Sequence, residues 1–303
     1  MQKQIIIAGP TASGKTSLSL RVAKELNAEI ISVDSRQCYK YLDIGTAKPT
    51  HEELSQVKHH NISILNPDEP DSVASFKDRA DQYAADIESR GKSVIFCGGS
   101  TLHLQSLIRP MDDIPSSNPK NVDELSKLAD QKKIEYLYSE LERVDPDYAA
   151  NMDGKNRQRI IRALDVWRQT GKPFSSFHSD KPFILPDDKR LFVLHHPRKK
   201  LHDRIEKRTE WMFENGIIEE TENMLNLGYE KTFQSLQTVG YREVIRFLDG
   251  EIPEDQMIEK VKTSTRRYAK RQITWFRRWP FATILDMDSI TEEDALREIL
   301  ATK

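Results

Sequence analysis

The sequence predicts an α/β fold, a parallel sheet core carrying a mainly helical insertion. Three observations predict it. Short apolar runs recur through the first hundred residues with helical stretches between them, the pattern of parallel strands joined by crossovers. The first run leads straight into a glycine-rich loop and then a helical repeat. From about Ile114 strands give way to helical spacing, until an apolar run returns at Leu191.

Gln4 to Ala8 is the first strand. The loop GPTASGKT follows, and Leu18, Val22 and Leu26 then recur at helical spacing. Glu29 to Val33 is a second buried-type strand ending at Asp34, and Asn61 to Leu65 is a weaker third. Val73 to Ser89 has helical character. Ser93 to Cys97 is a fourth strand, ending in Gly98 and Gly99. In a parallel sheet the C-terminal strand ends lie along the edge where ligands bind, so Gly9, Asp34 and Gly98 are expected at one crevice. The segment IPSSNP then reads as a linker. Asp123 to Val144 and Asn156 to Thr170 are predicted helices, the second stopped by Gly171 and Pro173. The insertion is thus bounded at 114–189 and the core at 1–113 and 190–303. Leu191 to His195 reads as the last core strand. A long helix runs from Glu254 to about Trp279, roughly 39 Å at the usual rise.

Composition narrows the function. With 37% hydrophobic and 31% charged residues, the 303-residue chain has an ordinary globular balance. Its formal net charge of -2 means that any nucleic-acid site must come from local clustering of Lys and Arg. No apolar run approaches a membrane span, and the N-terminus lacks a signal-peptide pattern. Cys38 and Cys97 form no CxxC pair, which fits a reducing, cytoplasmic setting. His59-His60 and His195-His196 are adjacent pairs. Neighbours on a strand point to opposite faces, which argues against chelation.

Gly9, Pro10, Thr11, Ala12, Ser13, Gly14, Lys15 and Thr16 match GxxxxGK followed by Ser or Thr, between a strand and a helix. This is the context of a P-loop NTPase-like core. The loop backbone wraps a phosphate with inward N–H groups. Lys15 adds a positive charge, and the Thr16 hydroxyl suits Mg²⁺, which prefers oxygen. The loop does not distinguish ATP, GTP or another diphosphate. Asp34, at a strand's C-terminal end on the same edge, suits a base or metal ligand as well as it suits a turn former. Arg36 and Gln37 can read phosphate or base edges, or sit in a surface loop. No acidic residue follows the Gly98-Gly99 strand end, which counts against an ATPase or GTPase motor. Ser100 there either donates to a leaving oxygen or caps the next helix.

Residues 265–279 contain no acidic side chain. Arg266, Lys270 and Arg277, and beside them Arg267, Arg271 and Arg278, form adjacent basic stripes on one helix. Such a helix tracks a phosphate backbone, or is a solvated face beside buried aromatics. Lys155, Arg157, Gln158, Arg159 and Arg162 form a second basic cluster in the insertion. Two clusters on different lobes point to a clasped polyanion. A phosphoryl-transferring kinase, a nucleotide-switched RNA-binding protein and a prenyltransferase of free adenine nucleotide are the rival readings. The long basic track favours none of the small-molecule ones.

The motifs GPTASGKT at 9–16, SVDSRQCYKYLDIGTAKPT at 32–50, SVASFKD at 72–78, FCGGSTLHLQSL at 96–107, NRQRIIRALDVWRQTGKP at 156–173, QTVGYRE at 237–243 and TRRYAKRQITWFRRW at 265–279 together closely resemble the tRNA dimethylallyltransferase family in its bacterial form. The resemblance runs nearly end to end. It implies a channel between core and insertion holding both substrates, and a phosphate loop gripping the diphosphate of dimethylallyl diphosphate with Mg²⁺. It implies transfer to N6 of the adenosine 3′ of the anticodon, flipped out of its stack. Carried over by position, Asp34 is the general base, Lys15 and Ser100 act on the leaving group, and Ser35, Arg36 and Gln37 line the tRNA side. The tRNA anticodon stem-loop is contacted by Gln158, Arg159 and Arg162, by Gln237, Gly240 and Arg242, with Arg242 near the active site, and by Arg266, Lys270 and Arg271. Ser100 stands where the family usually has Thr, and Arg36 where Met is common. A monomer is expected.

Overall fold

The computed structural model describes residues 3–109, 112–152, 154–178 and 184–301. Contacts divide the chain into two compact units, Met1–Arg109 with Phe183–Lys303, and Pro110–Pro182. In chain order the elements are β1 (Gln4–Ala8), α1 (Lys15–Glu25), β2 (Ala28–Val33), α2 (His51–Gln56), β3 (His59–His60), α3 (Val73–Ser89), β4 (Ser93–Gly98), α4 (Thr101–Ile108), α5 (Pro119–Val144), α6 (Pro146–Ala150), α7 (Arg157–Thr170), β5 (Lys189–His195), α8 (Arg198–Glu214), α9 (Ile217–Asn226), α10 (Tyr241–Leu248), α11 (Glu254–Phe276), β6 (Thr283–Asp286) and α12 (Glu292–Ala301). A short 3-10 turn spans Phe174–Phe177. Among the described residues no helix is long and apolar enough to cross a membrane.

The larger unit is a parallel sheet in the order β3-β2-β4-β1-β5-β6. Its strands read as continuous apolar runs because both faces are covered. Side chains alternate across the sheet. Ile6, Ala8, Ile31, Val33, Phe96 and Val193 pack with Phe76, Leu104 and Phe276 from α3, α4 and α11. Ile5, Ile7, Ile30, Ile95 and Phe192 pack on the other face with Leu18 and Val22 of α1 and Leu296 of α12. Burying an apolar side chain of this size contributes about 1.5–3 kcal/mol, so these two layers fix the strand ends that carry the site.

Two strands differ from the sequence reading. The third strand is His59–His60 instead of 61–65. Asn61 and Ser63 have φ of 61° and 51°, the left-handed region that ends a strand. The second difference is β6, which follows β5 in parallel at the sheet edge, so Leu191 to His195 is not the last strand. Only Leu285 is buried in this four-residue strand, which leaves no apolar run to read. Adjacent to β3, Glu29 is buried and accepts from His60 at 2.7 Å, Lys92 at 2.9 Å and Arg90 at 2.5 and 2.7 Å. These bonds, Arg90 first, hold its carboxyl far below the usual range. His59 bonds the Val57 carbonyl, so both histidines are spent on structure.

The smaller unit is all helical. Leu125, Leu137 and Leu141 of α5 pack against Ile160 and Leu164 of α7. Asn118 and Asn156 cap the starts of α5 and α7, and Gly171 ends α7 at φ 68°, where a side chain would be strained. Lys133, at φ 65°, breaks α5. Buried Asp165 accepts from Arg162 at 2.9 Å, Asn121 at 3.2 Å and Gln169 at 3.0 Å.

Candidate active site

The C-terminal ends of β2 and β4 and the loop after β1 open on one cavity of about 430 Å³, lined by residues 11–16, Asp34, Gln37, Gly98, Gly99, Arg204, Arg208, Tyr268 and Gln272 among others. Thr16 is on its wall. The sequence expectation that the phosphate loop, Asp34 and the double glycine meet at one edge is therefore what the sheet builds. The loop turns into α1 through Gly14 at φ 93°. The first turn of α1 leaves N–H groups without helix carbonyls, a partial positive charge aimed at the cavity. The glycines at the end of β4 permit close approach: a Cβ on Gly98 would lie 2.0 Å from the Val33 carbonyl oxygen, and one on Gly99 would lie 2.5 Å from Gln272 Nε2.

Asp34 closes a tight turn. Its Oδ1 accepts from the backbone N–H of Arg36 at 2.8 Å and of Gln37 at 3.3 Å. Among the described residues no donor reaches Oδ2. One oxygen thus fixes the carboxylate while the other carries no donor. The Gln37 amide donates to the carbonyls of Thr46 and Ala47 and its oxygen accepts from Ser32 at 2.9 Å, so it braces the turn from within. Ser100 sits at the N-cap position of α4 without capping it. Its hydroxyl instead accepts the Ser35 N–H at 3.0 Å, tying β4 to the Asp34 turn.

The cavity is cationic. Lys15 Nζ donates to the Pro10 carbonyl at 2.8 Å, and burial first, then Arg208, pulls its ammonium down to about 8 against the raising pull of Cys97 and Asp34. Burial likewise draws the Arg208 guanidinium down to about 10, still charged at neutral pH. Arg208 donates to the Thr11 hydroxyl, and Arg204 Nε donates to the Ala12 carbonyl at 2.6 Å. Poorly solvated cations around a phosphate loop are stabilised by an anion between them. Tyr268 faces the same space, its hydroxyl pushed up to about 12 by burial and by Asp34.

Sequence reading missed Arg204, Arg208 and Gln272. The signal for the arginines was present: they lie four apart on a helix that leaves the ligand edge after β5. Gln272 was hidden among basic neighbours. It is buried, its Nε2 donates to Gly99 O at 2.8 Å, and its Oε1 accepts from Thr11 N at 2.8 Å. One side chain of α11 therefore couples the phosphate loop to the end of β4.

The remaining sequence candidates are spread more widely. Gln158 and Arg159 are exposed on α7, whereas Arg162 is held by Asp165, Ser117 and the Pro115 carbonyl. Gln237 is exposed and bonds Lys231 O at 2.6 Å. Gly240 starts α10 at φ 102°. Arg242 pairs with Glu243 at 2.6 Å and opens on a separate surface depression with Arg246 and Arg267, not on the cavity. On α11, Arg266 pairs with Glu206 at 2.8 Å, Arg271 lies over the Tyr268 ring, and Lys270 is exposed. Among the described residues no group of three His, Cys, Asp or Glu side chains is placed to hold a metal.

A family model described as IPP transferase matches residues 37–279. A tRNA dimethylallyltransferase of Clostridioides difficile is 42% identical over 294 residues, 97% of this chain and 94% of the relative. A tRNA delta(2)-isopentenylpyrophosphate transferase from Staphylococcus epidermidis has a similar structure, with TM-score 0.73, 36% identity, and 99% and 98% of the two chains covered. A eukaryotic dimethylallyltransferase described as acting on tRNA superposes at TM-score 0.82 with 26% identity, covering 100% of this chain and 80% of that one.

Proposed function

The chain belongs to the IPP transferase family, and from that premise we infer that it transfers a dimethylallyl group from dimethylallyl diphosphate to N6 of the adenosine 3′ of the anticodon in tRNA, releasing diphosphate. The observation that carries this reading is that Asp34, with no donor on Oδ2 among the described residues, lines the cavity that the phosphate loop walls. This site sets a proton acceptor beside the loop that would cradle a diphosphate.

An exocyclic adenine amine is a weak nucleophile because its lone pair is delocalised. In the proposed reaction, the bond from N6 to the allylic carbon forms as the carbon–oxygen bond to diphosphate breaks. Diphosphate leaves with the electron pair, and the N6 proton passes to Asp34 Oδ2. Lys15, Arg208 and the N–H groups of the loop stabilise the charge that builds on the departing oxygens. Holding both partners in line supplies further acceleration. Ser100 acts through Ser35 by setting the Asp34 turn. The oxygen donors here suit Mg²⁺, which is usually held by one or two protein oxygens together with substrate phosphates. Thr16 would hold it, with Asp34 across the same cavity. When bound, Mg²⁺ neutralises charge on the diphosphate.

The tRNA anticodon stem-loop is proposed to meet Ser35, Arg36 and the Gln37-braced turn, Gln158 and Arg159 of the helical unit, the segment from Gln237 through Gly240 to Arg242, and Arg266, Lys270 and Arg271 of α11. The helical insertion serves as a tRNA-binding domain, and the enzyme works in the cytoplasm as a monomer. One assay tests the whole reading. Protein, Mg²⁺ and unmodified tRNA are mixed with labelled dimethylallyl diphosphate or with γ-labelled ATP. Label from the first donor alone should reach RNA, and label from ATP would overturn the assignment.

Two further expectations follow from the geometry. Replacing Arg266 and Lys270 by Ala should weaken tRNA binding on the order of tenfold at low salt and flatten its salt dependence, since each lost phosphate contact reduces the slope by about 0.7–0.9. Filter binding from 50 to about 200 mM salt reads both quantities, and an unchanged slope would take α11 out of the RNA footprint. Gln272→Ala should raise the KM for dimethylallyl diphosphate about tenfold, because losing buried hydrogen-bond partners costs roughly 1–3 kcal/mol per group. Steady-state kinetics checks this, and wild-type KM and kcat would mean that the loop holds itself.

A further inference from the structure

A second cationic groove lies between α8 and α11, of about 470 Å³, and shares no lining residue with the active cavity. From α8 it is lined by Arg198, Leu201 and His202, and from α11 by Arg266, Arg267 and Lys270, with Arg277 just beyond the helix end. No Asp or Glu lines it. Among the described residues no carboxylate pairs with Arg198, Arg267, Lys270 or Arg277. Two carboxylates pair with its lining from outside: Glu206 with Arg266 at 2.8 Å, and Asp286 with His195 at 3.5 Å, so the four unpaired cations carry its charge.

The back of this groove holds His196, only 6% exposed. Its Nε2 bonds the Ser13 carbonyl of the phosphate loop at 2.9 Å, so that nitrogen carries the proton. Its Nδ1 is buried without any hydrogen-bond partner. Buried polar atoms left unpaired are few in folded proteins and call for an explanation. A groove lined by unpaired cations and backed by a buried imidazole has the chemistry of an anion site.

We propose that this groove is a second phosphate-binding site, in which a bound anion stabilises the imidazolium form of His196, the proton being taken up from solvent. The ligand class is a phosphate group, whether a phosphodiester of an RNA backbone or a free phosphate. The proposal stands whether or not α11 touches tRNA. In the free protein, burial first and then Arg204, Lys200 and His195 keep His196 neutral against the raising pull of the Ser13 carbonyl. Arg198 and His202 from α8, and Arg266, Arg267, Lys270 and Arg277 from the side of α11, line the same groove, with Glu206 paired to Arg266 and Asp286 to His195. An anion reverses the balance. Imidazolium keeps its Nε2–H, so the bond to Ser13 persists in the charged form. Because the Ser13 carbonyl belongs to the phosphate loop, occupancy of the groove is felt at the diphosphate cradle.

The test is nitrogen NMR of the full chain with labelled histidine at pH 7, His196→Gln assigning the signal while keeping a donor for Ser13. The probes are sulfate, which does not titrate in this range, and pentauridylate, which lacks adenine. Saturating anion should convert the His196 signal from the neutral Nε2–H form to imidazolium. In the Arg198→Ala/Arg277→Ala variant the midpoint should rise at least tenfold; both side chains are exposed and outside the proposed tRNA set. A response to both probes, or to pentauridylate alone, assigns the site to RNA. A response to sulfate alone assigns it to a free anion. A His196 signal that stays neutral with both probes, or an unchanged midpoint in the double variant, overturns the proposal.

Discussion

Asp34→Asn is expected to lower the single-turnover rate by about 10²–10⁴, the usual contribution of a positioned general base, while the Kd for tRNA stays within about threefold of wild type. The substitution is isosteric. Its amide oxygen can still accept from the N–H groups of Arg36 and Gln37, which hold the turn at 2.8 and 3.3 Å. What disappears is the carboxylate charge and the basic oxygen at Oδ2. Asp34→Ala is a poorer test, because it removes the turn together with the base. Labelled dimethylallyl diphosphate, with enzyme in excess over tRNA, separates chemistry from release. A wild-type rate would remove Asp34 from proton transfer. Equal losses of rate and tRNA affinity would make it a binding residue instead.

Much of this site could be read without coordinates, and the reason is local. The phosphate loop needs only contiguous residues between a strand and a helix, and strand ends in a parallel sheet share an edge by topology. Asp34, Gly98 and Lys15 therefore met on paper as they do in the fold. Arg204 and Arg208 carried a signal in their spacing of four on the helix after β5, but Gln272 lies among basic neighbours far along the chain, where nothing says which helix face the cavity will see. Ser100 shows a subtler limit. Its position at a helix start fits a cap, yet its hydroxyl turns to the Ser35 N–H, because the Gly98-Gly99 approach brings β2 within reach. Strand β6 was invisible because an edge strand with one buried residue has no pattern to detect. Arg162 shows the converse. Its place in a basic cluster suggested RNA, but without it buried Asp165 would keep only neutral partners and lose its counter-charge, a cost larger than that of most surface contacts.

Affinity for dimethylallyl diphosphate should be nearly level up to about pH 7 and then fall above pH 8, by up to tenfold per pH unit. The cause is Lys15, whose ammonium is drawn down to about 8, chiefly by burial. A diphosphate seated in the loop stabilises the charged form and raises that value. At about pH 7 and below the lysine is charged in both states, and binding moves no proton at this group. Above pH 8 it is neutral in the free protein and charged in the complex, so binding must take up a proton, and affinity drops with each further unit until the value for the complex is reached. The other groups around Lys15 do not mimic this limb: Arg208 stays charged to about 10, and burial pushes the Cys97 thiol up from its ordinary value. Calorimetry in buffers of different ionisation heat measures the proton uptake directly. Lys15→Arg supplies the control, since a guanidinium keeps its charge through this range. Its affinity should be level from pH 7 to about pH 9, whatever the cost in absolute binding. A wild-type curve with no fall above pH 8, or a fall that persists in Lys15→Arg, would separate the loop lysine from the diphosphate and with it the charge argument for leaving-group departure.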